Sequence, residues 1–345
     1  MTTVFRAPRQ ALLLILPLFL LLALVLSACT PAVDTSGAGS TEVAAGGARF
    51  HTADEETARL GSDAAPGVFP RTVTHDAGTT EITAKPQRVV VLDTGELDAV
   101  LALGITPVGM VTTQGATPVP SYLVDRVKDV ATVGTIQEIN VEAIAALQPD
   151  LILGSTLRVE KLYPQLSAIA PTVFSIRPGY PWKENFLLAA DALGEEEKAT
   201  AILNGYAAEL AAIKGSVAPE TTVSIVRFMP GKIRLYGRAS LTGVVLADAG
   251  LARPTNQQVD ELSVEISPEE ISEADADIVF YSSYGAPDAT GESEIIASRS
   301  WQEMSAAAAG LAIRVDDDVW FLGLGPIGAL QIAEELAAHL EETNR

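Results

Sequence analysis

The chain has 345 residues, and 44 Asp and Glu against 23 Lys and Arg give it a net charge of −21 at pH 7. So acidic a chain is a poor partner for nucleic acid or for an anionic lipid surface. It holds one cysteine, which allows no disulfide within a monomer, and three scattered histidines, His51, His75 and His339, which argue against direct zinc or manganese capture.

The N-terminus has the layout of a secretory signal. The first ten residues carry Arg6 and Arg9 and no acid, and Ala11–Ala28 is an almost unbroken apolar run that closes on small residues. A retained transmembrane helix is the alternative, because the run is just long enough to cross a bilayer. Leu26-Ser27-Ala28-Cys29 resembles the lipobox of bacterial lipoproteins, which implies cleavage before Cys29 and lipidation of its thiol. We therefore expect a signal peptide over 1–28 and a lipid anchor on the extracytoplasmic face of the cell membrane.

The rest of the chain predicts a tether followed by two lobes. Residues 29–69 are rich in small and polar residues and read as a flexible tether. Strands at Arg88–Leu92 and Pro107–Val111 flank a helix at Glu96–Leu103, an alternation typical of parallel sheets in an α/β fold. About 275 residues are too many for one ordinary core. The expected division is an N-terminal α/β lobe over 70–181, a helical connection over 182–216 and a C-terminal α/β lobe over 217–345.

An internal repeat supports the two lobes. Asn140–Ser155 aligns without a gap on Ser267–Ser282, so that Asp150 matches Asp277, although any two helix–strand units share some likeness. Between the repeats, Glu195–Lys214 places apolar residues at helical spacing over about 30 Å. The pattern predicts two lobes of similar build, bridged by one helix, with a ligand cleft between them.

Six blocks of sequence resemble the periplasmic-binding-protein family that serves ferric siderophore, haem and cobalamin importers. The blocks are Pro86–Asp93, Leu101–Gly109, Asn140–Ser155, Leu162–Leu166, Ser267–Ser282 and Ser300–Met304. The resemblance implies two Rossmann-like lobes with central parallel sheets, joined by one long helix, in a protein expected to be a monomer. It also implies docking onto an ABC permease, and through it to an ATPase, by one surface Glu per lobe. Glu160 is expected in the N-lobe, and Glu292 or Glu294 in the C-lobe.

Arginine and aromatic residues follow the predicted strand ends, where open α/β sheets bind ligands. In a ferric siderophore the chelator already saturates the iron, so a protein need only hydrogen-bond the chelator oxygens and pack on the organic shell. The predicted ligand-binding residues are Arg227, Arg238, Tyr236, Trp182, Tyr284, Arg158 and Trp320. For any one of them, a surface ion pair or core packing is the alternative. We expect a ferric siderophore as the transported ligand, a hydroxamate rather than a catecholate, because few lysines lie near the cleft.

Other functions have weaker support. Gly323-Leu324-Gly325-Pro326-Ile327-Gly328 satisfies the dinucleotide pattern Gly-x-Gly-x-x-Gly after an apparent strand at Val319–Leu322, but no further strand with an acid follows it. We interpret it as a tight turn bordering the cleft. Haem or cobalamin capture, with Tyr236 or Tyr284 as an axial ligand to haem, is the alternative in the same class. From other classes, an extracytoplasmic enzyme and a non-transport adhesion or sensor lipoprotein are the remaining alternatives. No enzyme activity, covalent cofactor or resident metal is expected, because the chain shows no catalytic or metal-binding constellation.

Overall fold

The computed structural model describes residue 57 and residues 59–113, 117–214, 218 and 220–343. The predicted signal peptide, Cys29, His51 and most of the tether lie outside them. The described chain forms two five-stranded sheets and one two-stranded hairpin. None of its helices has both the length and the apolar character needed to span a bilayer.

The strands are β1 Arg71–His75, β2 Gly78–Ile82, β3 Val89–Val91, β4 Gly109–Thr112, β5 Ala131–Thr135, β6 Leu151–Ser155, β7 Thr172–Ser175, β8 Val223–Met229, β9 Lys232–Tyr236, β10 Ser263–Ile266, β11 Ile278–Ser283 and β12 Ala312–Arg314. The helices are α1 Thr94–Ala102, α2 Val141–Ala146, α3 Thr156–Val159, α4 Tyr163–Ser167, α5 Trp182–Leu193, α6 Glu196–Ile213, α7 Leu241–Asp248, α8 Pro287–Thr290, α9 Glu292–Ile296, α10 Arg299–Gln302, α11 Ser305–Ala308, α12 Asp317–Trp320 and α13 Pro326–Thr343. Short 3-10 helices lie at Ser121–Arg126, Glu160–Leu162, Thr255–Gln257 and Pro268–Ala274.

The N-lobe sheet is parallel throughout, in the order β5-β4-β3-β6-β7. Its central strand β3 is buried on both faces: Val89 and Val91 pack into one apolar cluster, and Val90 packs into another. A strand buried on both sides needs a continuous apolar run, which is what the sequence shows at this point. The two predicted strands and the helix between them are confirmed as β3, β4 and α1.

The C-lobe sheet is mixed rather than parallel, in the order β10-β9-β8-β11-β12. A tight turn at Gly231, whose φ is +76°, sends β9 back antiparallel to β8, and β10 pairs antiparallel with β9. The predicted strand Val319–Leu322 is wrong. Asp316 accepts hydrogen bonds from the backbone N–H groups of Asp318 and Val319 and so starts helix α12, where Trp320 is the last residue.

The repeated aspartates do the same task in both lobes. Asp150 accepts hydrogen bonds from the backbone N–H groups of Gln87 at 2.8 Å and Arg88 at 2.7 Å, just before β3. Asp277 accepts one from the N–H of Thr222 at 2.7 Å, just before β8. Each aspartate therefore pairs backbone donors at the start of the first strand of its own sheet. The helix of the second repeat is a 3-10 helix, although the predicted capping box at its start is present.

Helix α6 contacts the cores of both lobes. Ala199 near its start packs into an N-lobe cluster, whereas Tyr206 and Leu210 pack into a C-lobe cluster. The helix predicted to bridge the lobes is thus present, and it follows α5 after a turn at Gly194, whose φ is +66°. The left-handed conformation at this turn suits glycine.

The folded part takes in residues that the sequence assigns to the tether. The Arg71 side chain is completely buried and donates to the Val68 carbonyl at 2.9 Å, to Asp191 Oδ1 at 2.8 Å and to Glu196 Oε1. It also donates to the Ala65 carbonyl. One guanidinium therefore ties the segment ahead of β1 to the joint between α5 and α6.

Candidate functional site

The carboxyl edges of the two sheets approach each other. In the N-lobe, α1 starts directly after β3, and in the C-lobe the glycine turn follows α12. A Cβ added to Gly95 in the first turn of α1 would lie 3.2 Å from the carbonyl oxygen of Leu324 in that turn. The strand ends of both lobes therefore border one interface, which is where a ligand cleft is expected in α/β sheets.

At the C-lobe edge, Arg227 near the end of β8 is 5% exposed and lies in a cage of polar groups. Its Nε donates to Asp317 Oδ1 at 2.8 Å, and one terminal nitrogen donates to Asp317 Oδ2. The other terminal nitrogen donates to the Tyr236 hydroxyl at 3.3 Å. Burial acts to lower the pKa of Arg227, but the hydrogen bonds to Asp317 outweigh it and raise that pKa. The guanidinium is therefore a permanent cation.

Two aromatic rings flank the same guanidinium. Its central carbon lies 4.7 Å from the centre of the Tyr284 ring and 5.0 Å from that of Phe321. An arginine has five N–H donors, and three are used here, so two N–H groups remain for an outside acceptor. The site can therefore donate hydrogen bonds from Arg227 to a ligand that also contacts the two aromatic rings. Phe321 was not among the predicted residues, because its position became clear only once α12 replaced the predicted strand.

Arg238 lies beyond the end of β9 and is also 5% exposed. It donates to Asp260 Oδ1 at 3.3 Å, and its buried Nε has no partner. Close by, Arg253 is 8% exposed and donates to the Val223 carbonyl at 3.0 Å. Burial, followed by the charge of Arg238, lowers the pKa of Arg253 to about 10. Two cations share this region, which favours an anionic group there.

The N-lobe edge holds a buried acid pair. Asp93 follows β3 and accepts from Arg158 Nε at 2.9 Å. Glu96 in α1 accepts from the Ser175 hydroxyl at 3.0 Å, while its Oε2 is buried without a partner. Burial, and then the charge of Asp93, raises the pKa of Glu96 to about 7. This carboxyl can therefore be protonated near neutral pH.

Arg177 is a residue that the sequence reasoning missed. It follows β7 at the same edge, its guanidinium lies 5.1 Å from the centre of the Tyr180 ring, and its buried Nε has no partner. Within the part of the chain that the structure describes, it forms no ion pair. Its neighbour Leu157 is 61% exposed, and the Leu157 N–H bonds the Ile176 carbonyl. An Arg two residues after a strand was a signal available in the sequence.

The structure brings some of the predicted ligand residues together and separates others. Arg227, Tyr236 and Tyr284 form one cluster, and Arg158 lies on the N-lobe edge. Trp182 and Trp320 are each 1% exposed: Trp182 meets the Tyr206 ring edge-on, and Trp320 stacks on Phe280. Both rings belong to the apolar core cluster of the C-lobe, and their predicted contact with ligand stays a prediction.

The candidate docking acids differ in exposure. Glu160 starts a 3-10 helix and is exposed, as is Glu294. Glu292 is 2% exposed and binds Arg314 through Nε at 2.7 Å, so it faces its own lobe rather than an outside partner. Across the residues that the structure describes, no three His, Cys, Asp or Glu side chains come together as metal ligands.

Comparison with known proteins identifies the family. The model of the periplasmic binding protein family matches residues 89–319. The chain belongs to this family of binding proteins.

It is 38% identical over 287 residues to the probable siderophore-binding lipoprotein YfiY of Bacillus subtilis (strain 168), covering 79% of this chain and 88% of that protein. It is 27% identical to the Fe(3+)-citrate-binding protein YfmC of the same organism, covering 91% of this chain and 92% of that one. Among solved structures, Staphylococcus aureus SirA complexed with staphyloferrin B is similar, with 33% identity and a TM-score of 0.71 over 78% of this chain and 98% of that one. The two-lobed α/β fold and the resemblance drawn from the sequence are confirmed.

Proposed function

We propose that this chain captures a ferric siderophore outside the cell and delivers it to an ABC-type importer. The observation that carries the proposal is the Arg227 cluster. A buried cation with two spare N–H donors lies between the rings of Tyr284 and Phe321, at the carboxyl edge of the C-lobe sheet. Such a group can hydrogen-bond the iron-bound oxygens of a chelate while the rings pack on its organic part.

The charge balance of the cleft favours a complex of low net charge. Arg158, Arg227 and Arg238 each have an aspartate partner, whereas Arg177 has none among the described residues. A triply negative ferric catecholate would need more unpaired cations than this. We therefore favour a hydroxamate siderophore, or one that mixes hydroxamate with carboxylate.

The similar proteins support the class of ligand. The names of YfiY and YfmC refer to a siderophore and to ferric citrate, and SirA was solved with staphyloferrin B. We extend this class of ligand to the present chain because similarity to these proteins extends over both lobes.

The remaining parts of the proposal concern attachment and delivery. We propose that Cys29 bears a lipid that holds the protein on the extracytoplasmic face of the membrane, as expected of a chain related to named lipoproteins. Glu160 and Glu294 would dock onto a permease, which couples the protein to the ATPase. We retain the proposed lobe boundaries 70–181, 182–216 and 217–345, and a monomeric state.

A fluorescence titration tests the ligand. The chain from Thr30 onward retains every described residue, and we would titrate it with ferrioxamine B, ferrichrome, ferric citrate, ferric enterobactin, haem and cobalamin. We expect saturable quenching by a hydroxamate or carboxylate iron complex. Saturation by haem with a Soret shift, or by cobalamin alone, would refute siderophore capture and favour the alternative ligands.

Uptake of ⁵⁵Fe tests delivery. In cells that depend on this chain, changing both Glu160 and Glu294 to Gln should reduce uptake strongly while leaving ligand affinity unchanged. Both acids are exposed, and Arg158, Arg227 and Arg238 pair with other acids. The control is Glu142→Gln, which removes the charge of another exposed acid, on α2. Glu292 cannot serve as the control because it is buried. Normal uptake by the double variant would contradict the docking roles.

A further inference from the structure

The glycine turn Gly323–Gly328 has a structural task that its sequence pattern does not reveal. None of its three glycines has a positive φ, so backbone conformation does not require them. The lack of space requires glycine at two of these positions. A Cβ on Gly325 would lie 2.7 Å from Cβ of Asp98, and one on Gly328 would lie 2.9 Å from Cα of Gly323. Real Cβ atoms do not approach other atoms so closely. The turn is therefore shaped to admit Asp98, a residue of the other lobe.

Asp98 caps helix α13 in trans. It is completely buried on α1, and its carboxylate accepts from the N–H groups of Ile327 at 2.7 Å and Gly328 at 3.0 Å. Pro326 is the first helical residue, so Ile327 and Gly328 are the second and third. The N–H groups at these two positions are the ones that an N-cap side chain normally pairs. The position that would supply the cap within α13 is Gly325, which has no side chain. The N-lobe supplies the missing carboxylate.

A second cap runs in the opposite direction. Asp318 on α12 of the C-lobe is 7% exposed and accepts from the Ser121 N–H at 2.8 Å and from the Thr117 hydroxyl at 2.9 Å. Ser121 starts the 3-10 helix of the N-lobe, and the next residue, Tyr122, donates its hydroxyl to Asp98 at 2.8 Å. The two caps thus meet at one short helix.

We propose that Asp98 and Asp318, each capping a helix of the opposite lobe, form a reciprocal latch that fixes the angle between the lobes. Apolar contacts alone can slide, whereas these hydrogen bonds are directional. If the lobes turned, the buried Gly328 N–H would lose its acceptor and Asp98 Oδ1 would lose its donor, although Tyr122 would still bond Oδ2. The latch also fills the helix N-terminus that a dinucleotide phosphate would need. This inference does not depend on the identity of the transported ligand.

The charge state of Asp98 suits this role. Burial raises its pKa to about 6, and hydrogen bonds from Ile327, Gly328 and Tyr122 oppose that rise, as does the charge of Arg126. At pH 7 the group is therefore mainly a carboxylate, which accepts at both oxygens. An asparagine could accept at only one, and its amide N–H would face a backbone donor.

The test measures two quantities: the distance between the lobes, and the protection of backbone amides at the start of α13 from hydrogen exchange. In the chain from Thr30 onward, which lacks Cys29, spin labels on E142C and E269C report the interlobe distance from two exposed, repeat-related positions. D98N removes half the cap, and G325A displaces Asp98 sterically without changing a charge. Asp129→Asn, an exposed acid after the same 3-10 helix, is the matched control.

We expect both latch variants to broaden or lengthen the interlobe distance distribution, and the Ile327 and Gly328 amides to exchange hydrogen at least tenfold faster. Asp129→Asn should match the unaltered chain. Unchanged distances and exchange in D98N and G325A would overturn the latch. Equal loss of protection at Val90 and Phe280, in the centres of the two sheets, would overturn it as well, because Asp98 would then support overall folding rather than the lobe angle.

Discussion

Replacing Arg227 by lysine should weaken ligand binding without abolishing the fold. Lysine keeps the positive charge beside Asp317 but loses the planar fork and the contact with both rings. The two spare N–H donors of Arg227 would each make a charge-assisted hydrogen bond worth about 1.5–3 kcal/mol. Loss of one of them predicts a Kd about 10- to 100-fold higher, since about 1.4 kcal/mol corresponds to a factor of ten.

The control for Arg227→Lys lies directly opposite it in the sheet. Arg234 on β9 is the register partner of Arg227 and pairs with the exposed Glu265 at 2.9 Å. Arg234→Lys should leave Kd unchanged, because Arg234 touches neither ring. We would titrate both variants with the iron complex that binds the unaltered chain and check folding by thermal melting. A folded Arg227→Lys variant whose Kd lies within about twofold of the unaltered value would refute the role of Arg227.

Three further predictions concern other parts of the molecule. Arg177→Ala should raise Kd about 5- to 10-fold and reduce the salt dependence of Kd, because a cation at the cleft edge that pairs with no acid among the described residues is lost. Titrations at two ionic strengths would show no such change if Arg177 lies outside the site. Glu96→Gln should melt at a higher temperature than the unaltered chain at pH 8 but not at pH 4.5: the folded-state pKa of Glu96 is raised to about 7 by burial and by Asp93, so its stability contribution is present at low pH and lost as the pH rises through 7. Equal differences at both pH values would contradict this. Arg71→Ala should lower the free energy of unfolding by about 3 kcal/mol in urea titrations, since it removes a fully buried guanidinium from the partly buried Asp191 and Glu196. Removal of the exposed Arg59 should lower it by less than about 1 kcal/mol. Similar losses for the two variants would contradict the role of Arg71 in joining these segments.

The architecture could be predicted because its signals are local. Continuous apolar runs mark buried strands such as β3, and the matched Asp150 and Asp277 revealed two units of similar build. The antiparallel hairpin of the C-lobe was missed, because Pro230 and Gly231 alone do not show in which direction the next strand pairs. Helix α12 was missed because Val319–Leu322 is apolar enough for a strand. The side chain of Asp316 caps the backbone N–H groups of Asp318 and Val319, and this cap starts a helix instead.

The site was predicted only in part, since it depends on contacts between distant segments. Arg227, Tyr236 and Tyr284 follow from their positions near strand ends. The partner of Arg227, Asp317, lies 90 residues away in the sequence, and no local pattern links the two. The pairing of Asp98 with the glycine turn spans 229 residues, so the sequence predicted a tight turn bordering the cleft but not the carboxylate that this turn accommodates.

Calorimetric titration of the chain from Thr30 onward with one siderophore, in its ferric and iron-free forms, tests siderophore capture. We expect one binding site for the ferric complex and at least tenfold weaker binding of the iron-free chelator, because only iron folds the chelator oxygens into a compact shell that Arg227 and its neighbouring rings can hold. Equal affinity for the two forms, or no binding of any ferric siderophore from the fluorescence panel when each is titrated in this way, would contradict siderophore capture.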